Sequence, residues 1–219
     1  MGKENIESLI ENQQKTDEGE PSLLVNDTIK KVEEIIDILD EESYKNKKKI
    51  KVIKTMGIKE AHEIGALHGV AHVWILKPDG KIGLQKRSLS KSKKEKWSIS
   101  AAGHIRTTES PKQGGVRETF EELGITINES DLIPLGIYKK TKGKVGSEKG
   151  LNKELIFAYL LKIDDNTNFK LDEKEVEKIE FMDINIFERN ILDPIKSKVF
   201  SKNKRYFQSI INKIRKQIT

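Results

Sequence analysis

Three glutamates, Glu118, Glu121 and Glu122, stand within five residues of one another in the segment "GHIRTTESPKQGGVRETFEELGI", Gly103 to Ile125. Carboxylates are hard oxygen donors, and a group this dense suits Mg2+ or Mn2+, above all when substrate phosphates share the ion. The alternative is a solvated acidic face. Against that alternative, like charges at i and i+4 destabilise a helix by about a few tenths of a kcal/mol. Glu121 and Glu122 also sit near a helix C-terminus, where the macrodipole disfavours negative charge. Gly114 and Gly115 weaken the same helix by roughly 1 kcal/mol each relative to alanine. A cation held across the carboxylates reverses the repulsion.

The helix that carries them is well delimited. Ser110 and Gln113 form a capping box, Pro111 occupies the first helical position, and Gly124 supplies a left-handed cap, which predicts a helix over 111–123. At about 100° per residue, Val116, Phe120 and Leu123 fall on one stripe, the expected buried face, with the glutamates roughly opposite. Arg117 lies one turn before Glu121 and can partner it.

Around this helix the chain alternates strand-like and helix-like segments. Strands are expected at 34–40, 50–56, 68–76, 81–87, 132–138, 154–163 and 176–184, with a Pro-Asp-Gly turn at Pro78 to Gly80 making 68–76 and 81–87 a hairpin. Helices are expected at 111–123, around 184–190 and at 204–217. Such an order indicates a mixed sheet with helices on its faces, so α/β or α+β. The expected organisation is a polar extension over 1–29, a domain over 30–192, and a basic helix in 193–219 packed on or extending it.

Composition excludes several classes. Of 219 residues, 35% are apolar and 35% charged, a lean core under a charged surface. No segment approaches the run of roughly 18 apolar residues that a membrane span needs, and the first 20 residues lack a signal peptide's apolar centre. No membrane partner and a cytoplasmic location are therefore expected. The absence of cysteine removes disulfides, thiolate metal sites and cysteine nucleophiles. The net charge of +6 gathers in "KRSLSKSKKEK" (86–96) and "KNKRYFQSIINKIRKQ" (202–217). These runs read as solvated surface or as contacts to a polyanion.

The glutamate segment resembles the Nudix box, G-x(5)-E-x(7)-R-E-U-x-E-E-x-G-U with U a bulky aliphatic. Gly103, Glu109, Arg117, Glu118, Glu121, Glu122, Gly124 and Ile125 stand at the required spacing, and Thr119 is the one departure. The resemblance implies an α/β/α sandwich with a mixed central sheet and a pyrophosphohydrolase. Glu118, Glu121 and Glu122 are then the metal ligands, with Arg117 completing the catalytic set. Gly103 is expected to allow a tight backbone turn beside metal and substrate. More of the chain, "AHEIGALHGVAHVWIL", "LQKRSLSK" and "WSISAAGH", is similar to the branch related to isopentenyl-diphosphate isomerase, from about Ile35 to Ile184. That likeness implies a second divalent metal at His62, His68, His104 and Glu154, although Asn152 replaces the other acidic ligand. It also implies diphosphate binding by Arg87 and Lys91. The isomerases use a cysteine where this chain has Ala102, so their proton transfer is not expected here.

The expected function is metal-dependent hydrolysis of a phosphoanhydride in a nucleoside diphosphate linked to a moiety X, or in a related small diphosphate. Mg2+ or Mn2+ is the expected cofactor. The general base comes from the glutamate trio or from Glu173 or Glu175. Two alternatives are an isomerase-like protein that only binds diphosphate and an RNA-directed hydrolase using the basic runs. Few aromatics punctuate those runs, as single-strand binding requires. The expected partner is thus a small diphosphate rather than nucleic acid, and a homodimer stays open.

Overall fold

A computed structural model of the chain describes residues 33–45, 49–88, 96–143, 151–201 and 203–218. The extension expected over 1–29, together with Lys91, lies outside the described residues. The remainder is one mixed sheet of nine strands. These are β1 (Ile35–Leu39), β2 (Val52–Gly57), β3 (Leu67–Leu76), β4 (Lys81–Arg87), β5 (Trp97–Ser98), β6 (Ala101–His104), β7 (Leu132–Gly143), β8 (Leu151–Lys162) and β9 (Val176–Asp183).

Everything is arranged about β3. All ten of its residues are buried, which is why its sequence is a nearly continuous apolar run rather than an alternating one. One edge pairs in parallel with β8 along its full length, from Leu67 opposite Lys153 to Leu76 opposite Lys162. Three strands share the other edge: β1 at His68, β6 over Val70–Val73, and β4 at Leu76. The expected hairpin is therefore closed only at its turn, where Lys77 N–H donates to the Lys81 carbonyl at 2.9 Å. Beyond it β4 leaves β3 to β6 and pairs with β9 instead.

Alternation along β3 divides the core in two. Val73 and Ile75 pack with Leu123, Leu132 and Tyr159 on one face. On the other, Val70, Trp74 and Leu76 meet Phe187, Tyr206, Phe207 and Ile210. α3 (Pro111–Leu123) covers the first face, while α4 (Ile184–Leu192) and α5 (Lys204–Ile218) cover the second. Two shorter helices, α1 (Glu41–Lys45) and α2 (Ile58–Ile64), follow β1 and β2. Neither was expected from sequence, although Gly65 ends α2 in the left-handed conformation with φ 67°.

The capping box of α3 is present in both directions. Gln113 N–H donates to Ser110 Oγ at 3.1 Å, and Ser110 N–H donates to Gln113 Oε1 at 2.8 Å. Of the expected stripe, Leu123 is buried and Val116 packs against the core, but Phe120 is 58% exposed, while Gly115, Glu118, Thr119 and Glu122 are buried. Close approach is the cause. A Cβ on Gly115 would lie 3.1 Å from Leu132 Cδ1 and 3.3 Å from Val73 Cγ2, so glycine marks the contact line. Thr119, the departure from the motif, is tolerated there because its hydroxyl donates to the Gly115 carbonyl at 2.8 Å.

Burial predicts the cost of truncation. Phe207→Ala should lower unfolding free energy in urea by about 3–5 kcal/mol, and Phe120→Ala by less than about 1 kcal/mol. Equal losses would contradict the packing of both helices.

Candidate active site

Gly103 lies within β6, in extended backbone and without the positive φ of a turn residue. The expected tight turn is therefore absent, and glycine is needed there for a different reason. A Cβ at this position would fall 2.0 Å from Glu118 Cδ, so the glutamate carboxylate occupies the space a side chain would take. Glu118 and Glu122 are only 8% and 6% exposed, and so do not form the exposed arc expected opposite the core face.

Three groups hold these carboxylates. Arg117 Nη1 donates to Glu118 Oε1 at 2.5 Å and to Glu121 Oε2 at 3.0 Å. Its Nε donates to Glu109 Oε1 at 2.7 Å, and Nη2 to the His104 carbonyl at 2.7 Å. Glu122 Oε2 accepts from Ala102 N–H at 3.0 Å and from Gln85 Nε2 at 3.2 Å. Burial pushes the Glu118 carboxyl up, with Arg117 opposing. Burial, followed by repulsion from Glu118, pushes Glu122 up to about 8. Glu175 adds to that repulsion.

The histidines form a second group. His62 from α2, His68 from β3 and His104 from β6 bring ligating nitrogens within 4.8 Å of one another, the one such cluster among the described residues. His68 Nδ1 lies 3.0 Å from the Ala66 carbonyl. A carbonyl only accepts, so the proton is on Nδ1 and Nε2 presents a lone pair. The Nε2 atoms of both His62 and His68 are sealed from solvent without a hydrogen-bond partner. Burial lowers the pKa of His62 and takes His68 down to about 4, which keeps both neutral. The orphaned nitrogens are what a metal ligand set looks like before the ion is considered.

Glu154, expected as a fourth ligand, stands beside His68 in the β3–β8 register but outside this cluster. Lys140 and Asn152 take its carboxylate, Asn152 Nδ2 donating at 2.7 Å. Against the cost of burial, Lys140 holds Glu154 down to about 2.

A cleft of about 310 Å³ is lined among others by His62, His72, Arg87, His104, Lys140 and Asn152, and it reaches the glutamates only through the backbone of Ala102 and Gly103. Buried and unpaired polar atoms collect here: Arg87 Nε, Asn152 Oδ1 and His62 Nε2, with Gln85 Oε1 beside Glu122. Sequence reasoning found Arg87 but missed His72 and Lys140. His72 follows His68 by four positions on a strand, so alternation alone puts both on one face. Lys140 was hidden because its role depends on β7 pairing it with Glu154.

The raised pKa of Glu122 has a thermodynamic sign. A carboxyl shifted from 4.5 up to about 8 contributes stability that is full below pH 4.5 and is lost as pH rises through 8. Without metal, Glu122→Gln should therefore melt above the wild type at pH ~8, with the gap narrowing toward pH ~5, at about 2–4 °C per kcal/mol. A gap independent of pH would remove Glu122 as the responsible group.

Comparison with known proteins agrees with this geometry. The NUDIX domain model matches residues 66–202. An uncharacterised Nudix hydrolase of Clostridium acetobutylicum is 33% identical over 193 residues, covering 83% of this chain and 88% of that protein. A second, from Listeria innocua, is 41% identical over 68 residues, covering 31% of this chain and 40% of that protein. In fold, a crystallised Deinococcus radiodurans protein matches with a TM-score of 0.59 at 16% identity, covering 80% of this chain and 98% of that one. The chain belongs to the Nudix hydrolase family and is a pyrophosphohydrolase.

Proposed function

We propose that the protein hydrolyses a phosphoanhydride bond in a nucleoside diphosphate linked to a moiety X, or in a related small diphosphate, with a divalent cation. The observation that carries this reading is the convergence of unpaired buried polar atoms on one cleft lined by two members of the histidine cluster. Buried polar atoms without partners are costly, and a ligand that satisfies several at once explains their retention.

Glu118, Glu121 and Glu122 fit Mg2+ or Mn2+ as hard oxygen donors grouped on one helix, and a bound cation would favour the ionised form of the buried Glu122. Three imidazoles at His62, His68 and His104 suit a borderline transition ion such as Mn2+ or Zn2+ better than Mg2+. Such cations, when bound, supply charge neutralisation at phosphate oxygens and Lewis acidity toward water. The chain's own residues do the rest. Arg87 offers its unpaired Nε to a phosphate oxygen. Gly103 leaves room for Glu118, and Arg117 holds Glu118 and Glu121 in place rather than touching substrate.

The isomerase alternative lacks support at its own key position. Ala102 lines the cleft, and its side chain can neither give nor take a proton. A cleft of this size also favours a small diphosphate over RNA.

Incubation with a phosphoanhydride library and Mg2+ or Mn2+, read by mass spectrometry, should release phosphorylated products. Glu122→Gln should lower turnover by roughly a hundredfold or more, and Arg87→Ala should lower kcat/KM by about ten- to hundredfold. Full activity of a clean Glu122→Gln preparation would end the ligand assignment. For the second site, purified wild type should retain a transition metal by elemental analysis that His68→Gln does not. Equal contents would leave the histidines without that role.

A further inference from the structure

His72, the remaining histidine of the four, belongs to neither ligand group. It lies on β3 between Ala102 of β6 and Ala158 of β8, and is 6% exposed. Its Nδ1 is 2.8 Å from the Tyr206 hydroxyl, to which Trp74 Nε1 donates at 3.2 Å. An indole N–H only donates, so the phenolic oxygen accepts from Trp74. Among the described residues the phenolic proton has no acceptor except His72 Nδ1. The imidazole proton is therefore on Nε2.

That atom has no hydrogen bond among the described residues. Unlike Nε2 of His62 and His68, it is not sealed from solvent. The ring lines the cleft with Arg87, Lys140 and Lys142. Charged neighbours do not alter its state: burial holds His72 down to about 3, with Glu154 and Lys140 acting in opposite directions. Burial also raises the pKa of Tyr206, so the phenol keeps its proton. The Tyr206 ring is fixed edge-on to His72 and to Tyr138.

We propose that Trp74, Tyr206 and His72 form a fixed hydrogen-bond chain whose end, the neutral His72 Nε2–H, donates to a phosphate oxygen of a diphosphate in the cleft. Tyr206 is the positioning residue, because its hydroxyl dictates the tautomer. The inference rests on reading the cleft as the diphosphate site. A neutral imidazole adds a directional donor without the desolvation cost of another buried cation. It also gives the C-terminal helix a part in the site, since Tyr206 lies beyond the residues that match the family model.

The test uses the full chain, Mg2+, and methylenediphosphonate as a non-hydrolysable diphosphate. Nitrogen-15 NMR of the wild type should show His72 protonated on Nε2 alone, with that proton shifting as the diphosphonate is added. By calorimetry, His72→Phe should weaken binding about ten- to hundredfold, as loss of one hydrogen bond to a charged group implies. Tyr206→Phe keeps the ring packing, and it should both weaken binding and move the His72 proton toward Nδ1. If Arg87→Ala weakens binding while His72→Phe and Tyr206→Phe do not, this inference fails and the cleft reading stands. If none of the three matters, both fail. Should His72→Phe not fold, an unmoved Nε2 signal in the wild-type titration is enough to overturn the proposal.

Discussion

The Arg117 guanidinium is shared by three segments of chain: Glu109 from the loop before α3, Glu118 and Glu121 from α3 itself, and the His104 carbonyl from β6. Its side chain is only 14% exposed, so its contacts to Glu109, Glu118 and the His104 carbonyl act in a medium that screens poorly, while that to Glu121 is more exposed. Burial alone would favour losing the charge, but Glu109 and Glu118 more than offset it and raise its pKa. Removing any one partner would leave a buried charge short of compensation, which is far costlier than losing a surface pair. The consequence is geometric. The helix cannot slide along the sheet, and Glu118 stays against the bare backbone of Gly103.

From that fixed point β6 connects the glutamates and the histidine cluster. Ala101 packs with Leu123, Gly103 meets Glu118, and His104 joins His62 and His68. A second, more exposed link runs through Arg106, which contacts Glu121 at 3.3 Å and Glu34 at 3.1 Å. Glu34 in turn lies 3.6 Å from His104 Nδ1, and the His104 and Arg106 contacts hold its carboxyl down to about 2. A carboxylate behind a histidine orients the ring and leaves its other nitrogen for a ligand. Glutamates and histidines are thus tied by one chain of charges, Arg117 at the buried end and Arg106 nearer solvent.

The second face of the sheet depends on aromatic packing. Trp74, Phe187, Tyr206 and Phe207 stack with centroids between 5.4 and 6.2 Å. Rings at such separations in tilted or edge-on arrangements add to simple area burial. Here they also hold the phenol that contacts His72, so packing and site chemistry share the same residues.

Local signals were sufficient wherever the determinant lay within a few residues. The ends of α3 follow from Ser110, Pro111, Gln113 and Gly124, and the spacing of Glu118, Glu121 and Glu122 marks a candidate ligand set without any knowledge of the fold. What the sequence could not convey was which face of that helix is buried. Periodicity favoured Phe120, whereas the sheet accepts only the small surface at Gly115, a fact set by Leu132 and Val73 far along the chain. The same holds for Gly103, whose need for glycine comes from Glu118 across the layer and not from its own backbone. His62, His68 and His104 were named through resemblance, but their meeting, the diversion of Glu154 to Lys140, and the hold of Tyr206 on His72 are products of strand register and of helices packed on the sheet. Short-range rules act through the backbone of neighbouring residues, whereas a site is made by side chains brought from distant segments, and only the packed sheet decides which of them touch.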